Sequence, residues 1–478
     1  MQARAADSGQ GDQGSPAVRG ARVRACGGWL PVAGLFVLSG FFSSALFQDG
    51  LAAHKKTPSH RHRSSSIPQI IPQKTGPGSQ AGEAEGLYYA GVALHAKGNY
   101  EQAVEKFRSA LQKRNDFPEA RHAMGLALAA QGALDEAINE YRAALDAQPE
   151  FAAIHNNLGV ALSEKGQLDE AIAAYRHAIR LQPGNAAPHH NLALALEAKN
   201  DLDGAVGGYR ESLRLQPDNA TAHNNLGLVL QKKGLLDEAI GEYRAALRLQ
   251  AGASAALYSV NLSAALLAKG EVDGAIGAGR TAIRLQPENG DAHYNLGLAL
   301  KAKGEVEGAL AAFREVLKLD PGQGAVHYDV GQLLERAGES GAAIAEYRAM
   351  LTYRPTHGPA QEALAVLLQK NGDLDGAIAA YRAALQTAPK SIAAHNNLGV
   401  ALLTKGRVDE ALAAFRTATD LQPADPIAYY NLGEAFSAQQ QRGAAIQSYR
   451  SYVKLAEAQP DHREKVEAVR KQLAELER

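Results

Sequence analysis

The phrase around Asn157-Leu158-Gly159 returns near Asn191-Leu192, Asn225-Leu226-Gly227, Asn295-Leu296-Gly297, Asn397-Leu398-Gly399 and Asn431-Leu432-Gly433. The spacing is 34 residues or a multiple of it, lengthened by two residues once. No single globular core can be built on such a chain. Self-similarity at a fixed period of this size demands a stacked array, in which each unit buries its apolar face only against its neighbours.

Eleven units fit between residues 84 and 457. One position is alanine in every unit, from Ala103 and Ala137 to Ala411 and Ala445. Four residues on, and so on the same helical face, ten of the eleven units carry an aromatic ring, among them Phe107, Tyr141, Tyr243 and Tyr449. A further position is Gly in eight units and Ala193, Ser263 or Ala365 in the others, so two helices cross closely there. A turn glycine recurs in nine units, Gly98, Gly132 and Gly406 among them, where it can end a helix in the left-handed conformation. Proline closes the second helix of eight units, from Pro149 to Pro423. Each unit therefore reads helix, Gly turn, helix, Pro turn, and the fold class is all-α.

These residues resemble the tetratricopeptide repeat, and the resemblance covers about 374 of 478 residues. It implies a right-handed solenoid of antiparallel helix pairs with the first helices lining the concave side. One departure stands out: where the family places Trp in the first helix, this chain usually has His, at His155, His189, His223, His293, His327 and His395. Residues 458–478 leave the pattern but keep Val466, Val469, Leu473 and Leu476 on one stripe, as a helix capping the open end of an array would.

The chain divides into a signal peptide or membrane anchor (1–53), a basic Pro/Ser-rich linker without stable structure (54–83), the repeats (84–457) and the cap. Arg19, Arg22 and Arg24 precede an apolar run over residues 29–47, the order of a signal peptide, and the run is just long enough to span a bilayer. Cleavage after Ala45 and retention as an anchor both fit. The expected placement is exported or membrane-anchored, in the periplasm or cell envelope if the source is bacterial. Overall charge is balanced, 50 basic against 51 acidic residues, with nine Lys/Arg and three Asp before residue 83. The folded part is thus mildly acidic and no nucleic-acid binder. Cys26 alone permits neither an intrachain disulfide nor a cysteine zinc site.

The candidate binding residues are asparagines. Asn157, Asn191, Asn225, Asn261, Asn295, Asn397 and Asn431 occupy one first-helix position, two residues before the small crossing residue. A carboxamide offers both donor and acceptor, so a ladder of them can grip a peptide backbone with little regard for its side chains. The ladder resembles that of the repeat region in O-linked N-acetylglucosamine transferases. The competing reading is that each Asn bonds to the adjacent repeat and supports packing. The preceding positions, Asn156, His190, Asn224, Tyr294, Tyr328, Asn396 and Tyr430, are expected to face the same groove, with Glu197, Lys232, Lys301 and Glu335 tuning specificity.

Other constellations carry no chemistry. Histidines on successive repeats stand about 8–10 Å apart or more, while zinc needs its ligands about 2 Å away. Asp-Glu pairs such as Asp169-Glu170 open second helices, where negative charge suits the helix dipole. No phosphate loop, zinc-protease motif or nucleophile elbow is present. The sequence thus points to a non-catalytic scaffold, without cofactor or metal, that binds an extended segment of a partner protein. The alternative is the repeat part of a protein glycosyltransferase system whose catalysis resides in another subunit. Repeats 5 and 6, where Ala251 replaces proline and Gly279 replaces the ring, are expected to form a hinge.

Overall fold

The structure is a computed structural model, described for residues 80–478. Among the described residues it holds 23 α-helices and no strand. Repeat 1 comprises Gln80–Ala96 and Tyr100–Lys113, and repeat 2 Pro118–Gln131 and Leu134–Ala147. Repeats 3 to 5 follow as Ala152–Glu164 with Leu168–Leu181, Ala186–Ala198 with Leu202–Leu215, and Ala220–Lys232 with Leu236–Leu249. Repeat 6 pairs Ala253–Lys269 with Val272–Leu285, repeat 7 Gly290–Lys303 with Val306–Leu319, and repeat 8 Gly324–Arg336 with Ser340–Tyr353. Gly358–Lys370 with Leu374–Thr387, Ile392–Thr404 with Val408–Leu421, and Pro426–Ala438 with Arg442–Ala456 complete repeats 9 to 11. A last helix, Arg463–Leu476, closes the array against the second helix of repeat 11, with Val466, Val469 and Leu473 buried.

Three local devices build each repeat. The turn between the two helices is left-handed in every one: glycine supplies it nine times, while Asn200 (φ 63°) and Gln440 (φ 59°) adopt it in repeats 4 and 11. The aromatic ring of the second helix lies flat on the small residue of the first. A Cβ added at Gly227 would stand 2.7 Å from Tyr243 Cε1, and one at Gly399 2.4 Å from Phe415 Cε1. Glycine is required by that contact, not by its backbone freedom. Finally, the ring Nε2 of His155, His189, His223, His293, His327 and His395 donates to the carbonyl of the proline six residues earlier, at 2.8–3.3 Å. In repeat 9, Gln361 Nε2 makes the same bond to Pro355 at 2.6 Å. The histidine that replaces tryptophan is thus a tie across the proline turn.

The junction of repeats 5 and 6 is filled. The two extra residues lengthen the first helix of repeat 6 to 17 residues, entered through Gly252 at φ 87°. Tyr258 packs on Ala220, Ala246 and Leu247 and its hydroxyl donates to Gln250 Oε1 at 3.4 Å. Ser263, opposite the missing ring, turns its hydroxyl onto Ala275 O at 2.8 Å. Beside Gly279 itself stand Leu296 and Ser263, while Tyr258 packs on the repeat 5 side of the seam. The hinge expected at repeats 5 and 6 concerns motion, which hydrogen exchange across the repeat junctions measures. The sparsest junction lies between the second helix of repeat 7 and the first helix of repeat 8.

Candidate functional site

First helices of neighbouring repeats approach one another directly, whereas no approach of comparable extent joins second helices. The first helices therefore form the inner side of the stack, and both the asparagine position and the residue before it lie on them.

The asparagines are engaged between repeats. Asn157 Nδ2 donates to His122 Nε2 at 2.8 Å, Asn191 Nδ2 to Asn156 Oδ1 at 2.9 Å, and Asn261 Nδ2 to Asn224 Oδ1 at 2.8 Å. Asn431 Nδ2 reaches Asn396 Oδ1 at 3.5 Å. One rule covers them all: the ladder residue of one repeat donates to the residue preceding the ladder position in the repeat before. Where that residue is Val260, Asn295 Nδ2 takes its backbone carbonyl instead, at 3.2 Å. Where Asp329 replaces asparagine, the direction reverses, and Tyr294 donates its hydroxyl to Asp329 Oδ2 at 3.1 Å. Lys301 Nζ completes that site, 2.6 Å from Asp329 Oδ1 and 2.8 Å from Gln332 Oε1. Asp329 is 2 % exposed and Lys301 10 %, so the ion pair is sheltered from solvent.

Burial sorts the expected contact residues. His190, Asn224, Tyr294 and Asn396 are buried between repeats, as closely as the ladder residues Asn191 and Asn295. Asn224, Tyr294 and Asn396 bond to the ladder position of the next first helix, which makes them seam residues. Asn225 joins them, accepting from Asn224 at 3.4 Å and bonding to the Tyr209 hydroxyl. Asn156, Asn157, Asn261, Asn397, Asn431, Tyr328 and Tyr430 are half-buried, and Asn191 and Asn295 nearly covered.

The asparagines are not fully spent. The carbonyl oxygens of Asn191, Asn261, Asn295 and Asn431 accept no hydrogen bond among the described residues, yet none is sealed from solvent. Asn397 makes no side-chain hydrogen bond at all among them; Glu362, the residue its rule assigns, accepts from Ser391 Oγ at 3.0 Å. The ladder thus combines a structural donor with an unspent acceptor. The spacing rule was readable in principle: the paired residues stand 35 apart, or 37 across the insertion.

The titrations follow burial. His122, fully buried with Nδ1 unpartnered, is held down to about 4 by loss of solvation. The hydroxyls of Tyr209, Tyr243 and Tyr294 are pushed far up by burial and then by nearby carboxylates. Glu197 sits among them, bridged by Lys232 Nζ at 2.5 Å and by Tyr209 at 3.3 Å. The acidic residues opening second helices are tied across repeats, Asp169 to Lys199 and Glu170 to Arg142, the latter at 2.8 Å. No group of three or more potential metal ligands occurs among the described residues. No described helix is long and apolar enough to cross a membrane, and the expected signal or anchor over 1–53 lies outside the described residues, as does the linker expected over 54–83 up to residue 79; residues 80–83 belong instead to the first helix, Gln80–Ala96.

Models of the tetratricopeptide repeat match residues 122–186 and, in overlapping spans, 260–461. Further models of the same repeat match 91–132, 198–234 and 220–252. No curated protein matches the sequence significantly. Among solved structures, YrrB, titled a TPR protein with an unusual peptide-binding site, is 25% identical, covering 40% of this chain and 98% of its own at TM-score 0.36. PilF of Pseudomonas aeruginosa is 22% identical, covering 45% and 96% at TM-score 0.40. Yeast Tom70 is 15% identical, covering 82% and 96% at TM-score 0.34.

Proposed function

We propose, since this chain belongs to the tetratricopeptide repeat family, that it is a non-catalytic scaffold holding an extended segment of a partner protein along the inner face of its first helices. The observation that supports this reading is the row of unspent amide carbonyls at Asn191, Asn261, Asn295 and Asn431, with the uncommitted carboxamide of Asn397. Each of the first four is held by its own N–H bond to the preceding repeat. Its carbonyl is therefore oriented before any partner arrives, and binding loses less side-chain freedom. An extended backbone presents N–H groups that such acceptors can capture whatever the side chains.

The test uses the full chain as bait, beside a variant with Asn191, Asn261, Asn397 and Asn431 changed to Ala and shown by circular dichroism to keep its helix content. Loss of bound partners in the variant is the expected result; equal retention by both baits would sink the reading. Export or membrane anchoring through residues 29–47 is a separate proposal, tested by fractionating cells that carry the full chain and a version lacking that run.

A further inference from the structure

The seam pairing is missing twice in succession between repeats 8 and 10. Tyr328 precedes the ladder position of repeat 8, but repeat 9 offers Ala363 in place of a polar partner. Glu362 precedes the ladder position of repeat 9; its carboxylate accepts from Ser391 and makes no bond to Asn397. No side-chain bond of the ladder type therefore crosses repeats 8–10 among the described residues, and the Tyr328 hydroxyl is engaged by Gln332 of its own helix. Tyr328 is half-buried, its ring edge-on to His357 at 5.0 Å and tilted against Tyr347 at 5.7 Å.

Two carboxylates face this tyrosine without a counter-ion. Glu335 accepts from the Tyr347 hydroxyl at 2.9 Å, Glu362 from Ser391, and neither has an ion-pair partner among the described residues. Both lie close enough to Tyr328 to raise its hydroxyl. The nearest inner-face cation, Lys301, is already consumed by Asp329.

The molecule shows elsewhere what occupies such a tyrosine. Tyr430, three repeats on at the same register, carries the ammonium of Lys465 from the capping helix 3.7 Å from its ring centroid, with Glu434 nearby. A cation over the ring beside a carboxylate is the arrangement expected where ring quadrupole and anion both favour positive charge. At Tyr328 the ring and two carboxylates are in place and, among the described residues, no cation stands over the ring or forms an ion pair with either carboxylate.

We infer that the inner face of repeats 8–10 is the specificity subsite of the groove and takes a lysine or arginine side chain of the bound segment, with Asn397 holding the adjoining backbone. The inference rests on the proposed capture of an extended segment and adds the chemistry of its occupant.

An immobilised array of random 12-residue peptides, probed with the full chain, tests it. The parent enriches Lys and Arg among the peptides it retains. The isosteric pair Glu335→Gln and Glu362→Gln, which keeps the bonds to Tyr347 and Ser391, still retains peptides but loses that enrichment. The best basic peptide then binds roughly 10-fold more weakly by fluorescence anisotropy. Tyr328→Leu weakens it roughly 5-fold. The pair Glu150→Gln and Glu288→Gln removes the same charge from exposed turns and leaves binding unchanged. Enrichment absent from the parent, or untouched by the Glu335/Glu362 pair, or lost equally in the Glu150/Glu288 pair, overturns the inference. In those outcomes retained peptides that depend on the asparagines leave the capture reading standing. An array on which nothing is retained overturns both.

Discussion

Asn225 and Asn397 occupy the same position in two repeats, yet replacing each with alanine should have opposite consequences. Asn225 is 2 % exposed, accepts from Asn224 at 3.4 Å and bonds to the Tyr209 hydroxyl. Alanine takes one hydrogen bond from each of two buried polar groups, which costs roughly 1–3 kcal/mol together, while alanine's better helix propensity returns about 0.5 kcal/mol. The net loss is about 1.5 kcal/mol. Asn397 makes no side-chain bond and is half-buried, so the same change costs nothing in the seam and helix stability rises by about 0.5 kcal/mol. Global unfolding of a repeat array is not all-or-none, so the readout is local: hydrogen exchange by mass spectrometry over residues 220–232 and 392–404. Asn225→Ala should speed exchange in the first segment about 10-fold. Asn397→Ala should leave the second as slow as before. If Asn397→Ala loosens repeat 10 as much as Asn225→Ala loosens repeat 5, the division into seam and unspent amides is wrong.

Other consequences are equally specific. Gln440 holds the left-handed turn at φ 59° that glycine holds in nine repeats, so Gln440→Gly should stabilise the end of the array by about 0.5–1 kcal/mol, read as slower exchange in residues 426–438. Gly227→Ala would set a Cβ 2.7 Å from Tyr243 and should cost about 1–3 kcal/mol, read as faster hydrogen exchange in residues 220–232, the lower end if the ring yields as it does opposite Ala193 and Ala365. His122 is held down to about 4 by burial against an unfolded value of about 6.5, so between those pH values the unfolded chain binds a proton that the folded one does not. Stability contributed by its neutral form is therefore complete above pH 6.5 and lost as pH falls. The parent should lose about 2 kcal/mol more than His122→Asn between pH 7 and pH 5, compared by hydrogen exchange over residues 118–131 after correction for the intrinsic pH dependence of exchange.

What the sequence makes legible is what repeats locally. The Gly–ring contact lies within one repeat, 16 residues apart, and the left-handed turn and closing proline are chemistry of single positions, so counting positions is enough. The seam is different. It joins residues about 35 apart on different helices, and nothing in one repeat says which of two adjacent side chains points along the stack and which points away from it. The sequence reading places His190, Asn224, Tyr294 and Asn396 towards the groove; in the structure they are buried between repeats. Exchange of tryptophan for histidine reads in the sequence as a bare departure; in the structure the imidazole ties to the proline carbonyl six residues earlier, a contact between turn and helix that the sequence does not display. At repeats 5 and 6 the missing ring is visible in the sequence, but the packing of Tyr258 on Ala220, Ala246 and Leu247 is not, because it joins residues of different repeats.

The seam bonds also join into relays, and this sets how far a local change travels. Asn191 donates to Asn156, Asn156 to Asn157 at 3.4 Å, and Asn157 to His122, one run through repeats 4, 3 and 2. Asn156 stands in the middle, acceptor on one side and donor on the other. Asn431 donates to Asn396, and Asn396 to Asp425 at 3.3 Å within the turn that follows repeat 10. Removing a middle member deprives both neighbours, and buried partners of one network lose more together than separately. Asn156→Ala should therefore loosen the junctions on both sides of repeat 3, while Asn431→Ala should loosen only the junction of repeats 10 and 11. Hydrogen exchange resolved by repeat decides the matter. If Asn156→Ala affects a single junction, the bonds act pairwise and the ladder transmits nothing along the stack.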